Sequence, residues 1–99
     1  MIGPAQGGTA VSFRAAGCFC TSGDKLLLIQ RQEGKSHALH WGIPTGKLER
    51  GETARNCAAR ELAEEVGLHA SAGQLQAIAD YTVEDGEARF TYAAFALDF

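Results

Sequence analysis

The sequence predicts an α/β domain, on three observations: β-rich runs meet around turn signals towards each end, one amphipathic helical stretch lies between them, and the chain holds one core. Ninety-nine residues are enough for a single domain and too few for two. At that size folding buries roughly two-thirds of the unfolded surface, a real core but a thin one. Nine Lys and Arg against twelve Asp and Glu leave a net charge of −3. That balance lacks the basic excess a phosphate backbone requires, so bulk nucleic acid is excluded as a partner. No run approaches the 18 apolar residues of a membrane span, and the opening MIGPAQGGTA has neither a basic nor an apolar leader segment. The chain therefore reads as cytoplasmic, with no membrane partner.

Residues 1–10 are Gly, Pro and small polar types without periodicity, and they read as a flexible arm ahead of one domain over 11–99. Val11 to Cys20 and Lys25 to Gln32 are β-rich and flank the turn formers Thr21-Ser22-Gly23-Asp24, which predicts a hairpin. Gln32 to His40 is polar. Trp41 to Pro44 is a short apolar piece closed by a proline, and Thr45 to Gly51 reads as a loop. Gln74 to Glu84 and Glu87 to Phe99 predict a second, longer hairpin around Asp85-Gly86. Cys18, Cys20 and Cys57 cannot all pair and complete no zinc-ligand spacing, so they read as reduced structural thiols.

The one long helix runs from Thr53, an N-cap type, to Val66, with Gly67 as its stop. Ala58, Ala59, Leu62 and Val66 share the face that packs on the sheet. Glu61, Glu64 and Glu65 fall within about one turn, on another face with Cys57. Like charges at those spacings cost a few tenths of a kcal/mol each. Anions in a last turn also face the negative end of the helix dipole. A solvated acidic face is the plain reading of such a trio.

The surrounding residues point further. Gly46, Glu52, Arg60, Glu61, Leu62, Glu64, Glu65, Gly67 and Leu68 reproduce G-x5-E-x7-R-E-U-x-E-E-x-G-U, with U a bulky aliphatic, without a mismatch. At average residue usage such a match has a chance probability on the order of 10⁻¹⁰. The chain resembles the Nudix hydrolase family, MutT-like. The resemblance implies an α/β/α sandwich around a mixed sheet, of which the C-terminal strand and helix have no counterpart before Phe99. It implies a metal-dependent pyrophosphohydrolase acting on a nucleoside diphosphate linked to another moiety, including (deoxy)nucleoside triphosphates.

In that resemblance Mg²⁺ or Mn²⁺ is held by Glu61, Glu64 and Glu65 with a carbonyl of Thr45 or Gly46. Clustered carboxylates are the hard oxygen donors such ions take, and a cation offsets their repulsion. One of the three glutamates takes a proton from the attacking water, and the resemblance does not single it out. Glu52, Arg60 and Gly67 are implied as scaffold, the first two as an ion pair that ties the loop to the helix. Arg31 lies where the MutT-type branch contacts nucleotide phosphate, and it reads either as that contact or as a surface arginine. His37 and His40 read as solvent-exposed, and His69 as a charge partner of the helix end or as nothing. Trp41 stacks on a base or packs in the core. Glu84, Asp85 and Glu87 read as a solvated hairpin tip.

A competing function is a Nudix-fold module that binds or senses a nucleotide without hydrolysing it, and a purely structural acidic helix is a third. The aromatic run Phe90, Tyr92, Phe95, Leu97 and Phe99 cannot all find cover in one short chain. If the chain is complete, a homo-oligomer through the C-terminal strand is expected.

Overall fold

The computed structural model describes residues 2–4, 12–30, 41–85 and 88–99, and statements of absence or number below refer to those residues. In chain order the elements are β1 (Ile2–Pro4), β2 (Phe13–Ser22), β3 (Lys25–Leu26), β4 (Ile29–Gln30), β5 (Trp41–Gly42), β6 (Thr45–Lys47), α1 (Ala54–Val66), a 3-10 turn (Ala72–Gln74), β7 (Gln76–Asp85) and β8 (Ala88–Asp98). The main sheet runs β1-β7-β8-β2-β3, with β6 also on β2, while β4 and β5 form a separate pair. β2 and β8 are parallel from Phe13↔Phe90 to Thr21↔Asp98, and every other pairing is antiparallel. The sheet is therefore mixed, as expected.

The two hairpins form, with altered edges. β2 and β3 pair only at Thr21↔Leu26 and Ser22↔Lys25, because β6 takes the same edge of β2 further back, from Ala15↔Lys47 to Gly17↔Thr45. One strand edge bonds one partner at each position, so a full-length second strand has no edge left to occupy. Ile29 and Gln30 turn instead to Gly42 and Trp41. The same competition corrects the reading of Thr45 to Gly51, whose first three residues are a strand rather than a loop. In the second hairpin Asp85 pairs with Ala88, which moves the connection to residues 86 and 87, outside the described residues.

Ile2–Pro4 pairs with β7 at the edge of the sheet, which corrects the expected arm at those positions. Main-chain bonding to an edge needs no side-chain periodicity, and proline is tolerated there. The remainder of the arm lies outside the described residues.

The core lies between β2, β8 and one face of α1. Ala16, Cys18, Cys20 and Phe95 from the sheet meet Cys57, Ala58 and Leu62 from the helix, with Leu75 closing one end. Ala59 and Val66 pack partly buried against this cluster, as the helical spacing predicts. Pro44 is fully buried as well, and its carbonyl accepts from the Cys18 N–H at 3.1 Å. No helix covers the opposite face of the sheet, where Phe19, Tyr81, Val83, Phe90 and Tyr92 border a cavity of about 520 Å³. Phe95 is buried, whereas Phe90 and Tyr92 are half-buried and Phe99 is exposed. Both edges of β8 are paired, so that strand offers a neighbour its face and not its edge.

Candidate active site

α1 begins where Thr53 accepts the Asn56 N–H at 3.1 Å, which satisfies one of the four orphan donors of a helix start. It ends at Gly67, whose φ of 71° is left-handed and whose N–H reaches the Ala63 carbonyl at 3.1 Å. Between these caps Cys57 and Leu62 turn inward, and the register then sends Glu61, Glu64 and Glu65 towards β6 and solvent. Cys57 is fully buried rather than part of the acidic face. Its thiol donates to the Gly46 carbonyl at 3.5 Å.

The three acids differ in surroundings. The Glu61 side chain is 12% exposed and lies against Gly46, where a Cβ would overlap its carboxylate, so only glycine fits that position. Glu65 accepts the Thr45 N–H at 3.2 Å. The Glu64 side chain is 56% exposed.

Arg60 crosses in front of them. Its Nε and Nη2 grip both Glu52 oxygens at 2.8 and 2.9 Å, and Nη2 also donates to the Lys47 carbonyl at 3.1 Å. Its Nη1 meets Glu61 Oε1 at 2.6 Å and Glu64 Oε1 at 3.2 Å. The expected Glu52–Arg60 pair is thus present and two-pronged. Glu49 also belongs to it, donating its N–H to Glu52 at 3.0 Å and placing its carboxylate 3.6 Å from Arg60. The Arg60 hydrogen bonds, aided by the Glu49 N–H, hold the Glu52 carboxyl down at about 2. The same contacts push the guanidinium pKa up.

As the side chains stand, no group of three or more His, Cys, Asp and Glu is gathered closely enough to hold a metal ion. The reason is visible in the contacts: Arg60 engages Glu61 and Glu64, while Glu65 turns to the β6 main chain. Nη1 is nevertheless a positive charge shared by two carboxylates, so this pair already takes a cationic group between them. The donor set is all oxygen, as Mg²⁺ and Mn²⁺ require.

The other candidates separate. Arg31, His37 and His40 lie outside the described residues. Trp41 is 64% exposed, which removes the core-packing alternative. His69 is exposed just beyond the helix. Glu84 pairs across the hairpin with Arg89 at 3.6 Å, so that part of the tip is not simply solvated. Among the thiols, Cys20 donates to the Cys18 sulfur at 3.7 Å in the core, with no disulfide between them. Burial pushes Cys18 up to about 12 and Cys57 to about 11.

Comparison with known proteins gives one consistent result. The NUDIX domain family model matches residues 11–97. The uncharacterized Nudix hydrolase YvcI of Bacillus subtilis is 34% identical over 74 residues, which cover 75% of this chain and 44% of that protein. A protein of Mycobacterium tuberculosis strain H37Rv, named as a proposed 8-oxo-dGTP diphosphatase, is 48% identical over 46 residues, covering 46% of this chain and 33% of its own length. A MutT/nudix family protein from Enterococcus faecalis superposes with a TM-score of 0.80 at 18% identity, over 96% of this chain and 39% of that one. The chain thus spans less than half the length of each of these relatives.

Proposed function

The chain belongs to the NUDIX family, and from that premise we propose that it is a metal-dependent pyrophosphohydrolase acting on a nucleoside diphosphate linked to another moiety. The carrying observation is the convergence of Glu61 and Glu65 on the Thr45–Gly46 main chain, with Arg60 bridging Glu61 to Glu64. A purely structural acidic helix has no need of that convergence, nor of a glycine at 46.

In this reading Glu61, Glu64 and Glu65, with a carbonyl of Gly46, would hold Mg²⁺ or Mn²⁺. The cation, when bound, supplies positive charge to the diphosphate oxygens and a more acidic water. The chain's own contribution is positional. Glu52 and Arg60 tie the β6–α1 connection to the helix and so keep the carboxylates aimed at one point, while Gly67 ends the helix directly after them. One carboxylate takes the water's proton as the water attacks phosphorus, and the bond from that phosphorus to the bridging oxygen breaks, so the other phosphate leaves with that oxygen. To free Glu61 and Glu64 for a cation, Nη1 has to give way, and the bonds of Nε and Nη2 to Glu52 allow this without release of the scaffold.

The substrate leaning is towards (deoxy)nucleoside triphosphates, supported by the Arg31 position in the sequence and by the name of the mycobacterial relative. The cytoplasm is the proposed compartment, and no described helix is long and apolar enough to cross a membrane. Association of chains, if it occurs, is proposed at the open sheet face beside β8, and light scattering checks it.

Phosphate and pyrophosphate release from a panel of nucleoside triphosphates, nucleoside diphosphate sugars and dinucleoside polyphosphates tests the activity. Turnover of one class with Mg²⁺, abolished by EDTA, is the expected result. Nucleotide binding without turnover would indicate the sensing module instead.

A further inference from the structure

We propose that Tyr92 is a positioning residue for the acid cluster: it reaches across the central strand at Gly17 to fix Thr45, whose main-chain N–H in turn holds Glu65. The functional part of this inference rests on the pyrophosphohydrolase reading, and its geometric part does not.

β8 and β6 lie on opposite edges of β2, so a side chain that joins them must pass over a whole strand. Adjacent strands stand about 4.8 Å apart, which puts β8 and β6 roughly 10 Å from each other and out of reach of short side chains. Tyr92 makes the crossing. Its hydroxyl lies 2.9 Å from Thr45 Oγ1. The lane exists because residue 17 is glycine: a Cβ there would overlap both the Tyr92 and Thr45 hydroxyls and stand 2.9 Å from the Pro44 carbonyl. Strand interiors disfavour glycine, so its presence mid-strand is explained by this close approach.

Thr45 is then held from two sides. Gly17 pairs with it in register, and Tyr92 bonds its side chain. Its N–H points to Glu65 Oε1 at 3.2 Å. A donor on a fixed strand narrows where the Glu65 carboxylate points. Either hydroxyl can donate across this contact, and burial pushes the Tyr92 phenol up, so its hydroxyl stays protonated there.

The test compares wild type with Tyr92→Phe, Thr45→Val and the double variant, reading amide hydrogen-exchange protection at residue 45 and steady-state kinetics side by side. Tyr92→Phe keeps the ring and Thr45→Val keeps the shape, and near-equal melting temperatures verify folding. The expected result is about a tenfold loss of protection at residue 45 in each single variant, with the Gly67 amide unchanged, and about a tenfold fall in kcat at similar KM. The double variant should lose no more than either single one, because both cut the same connection. Protection and kcat within twofold of wild type in Tyr92→Phe would overturn the proposal, as would a loss in one readout alone or fully additive losses. An inactive wild type would overturn the pyrophosphohydrolase reading instead, and the exchange result would then decide the positioning of Thr45 by itself.

Discussion

Arg60 meets four carboxylates, and its contacts sort by geometry into two roles. The two-pronged grip on Glu52 binds the β6–α1 connection to the helix, while Nη1 offsets the charge of Glu61 and Glu64. Glu52→Gln removes the charge from the grip and should cost about 1–2 kcal/mol. Its pH dependence has a definite sign. The folded carboxyl lies near 2 against an ordinary 4.5, so the stabilisation is full above about pH 5 and is lost as pH falls towards 2. Melting curves of wild type and Glu52→Gln should accordingly converge across that window, and a gap that stayed constant down to pH 2 would refute the assigned cause. The thiols give a second check. Cys18, Cys20 and Cys57 are buried, and burial pushes Cys18 and Cys57 well above neutral pH, so a thiol reagent should modify none of the three until the chain unfolds. At this scale the motif made Glu52 and Arg60 legible as partners, since both are motif positions. Tyr92 and Thr45 were not legible: 47 positions separate them, and nothing in either neighbourhood signals the contact.

The helix is the element that local chemistry specifies best. Thr53 and Gly67 sit at its ends as cap types, and Ala58, Leu62 and Val66 repeat at its period. Because Gly67 is left-handed, Gly67→Ala should cost about 1 kcal/mol. In a domain of this size that amounts to roughly 4–8 °C in melting temperature, read by calorimetry or circular dichroism. The strands were less legible, for a physical reason. Three residues, Thr45–Lys47, are too short to show alternation, and they pair only because β2 leaves an edge open there. The same competition shortened β3, and it is settled by residues some 30 positions apart, which no local window contains. The second hairpin is long, its turn signal is strong and its pairing is sequential, so it was legible to within a residue.

Over the whole molecule, a mixed sheet carries one helix on one face, and the acid cluster lies where that helix meets the β6 edge. The parallel pairing of β2 with β8 joins the two ends of the described domain; the family resemblance implied a mixed sheet without naming this pair, because parallel partners are distant in sequence. On the proposed reading, a cation held by Glu61, Glu64 and Glu65 would offset the negative charge that Arg60 leaves uncompensated. Millimolar Mg²⁺ or Mn²⁺ should raise the melting temperature above its value in EDTA through binding to the folded state. The central claim, that these carboxylates carry out diphosphate hydrolysis, is tested most directly by the turnover of Glu65→Gln under saturating Mg²⁺ on the substrate that wild type cleaves best. The account predicts a loss of about 100-fold or more in kcat with the melting temperature in EDTA unchanged; a Glu65→Gln protein that turns over within threefold of wild type would contradict it.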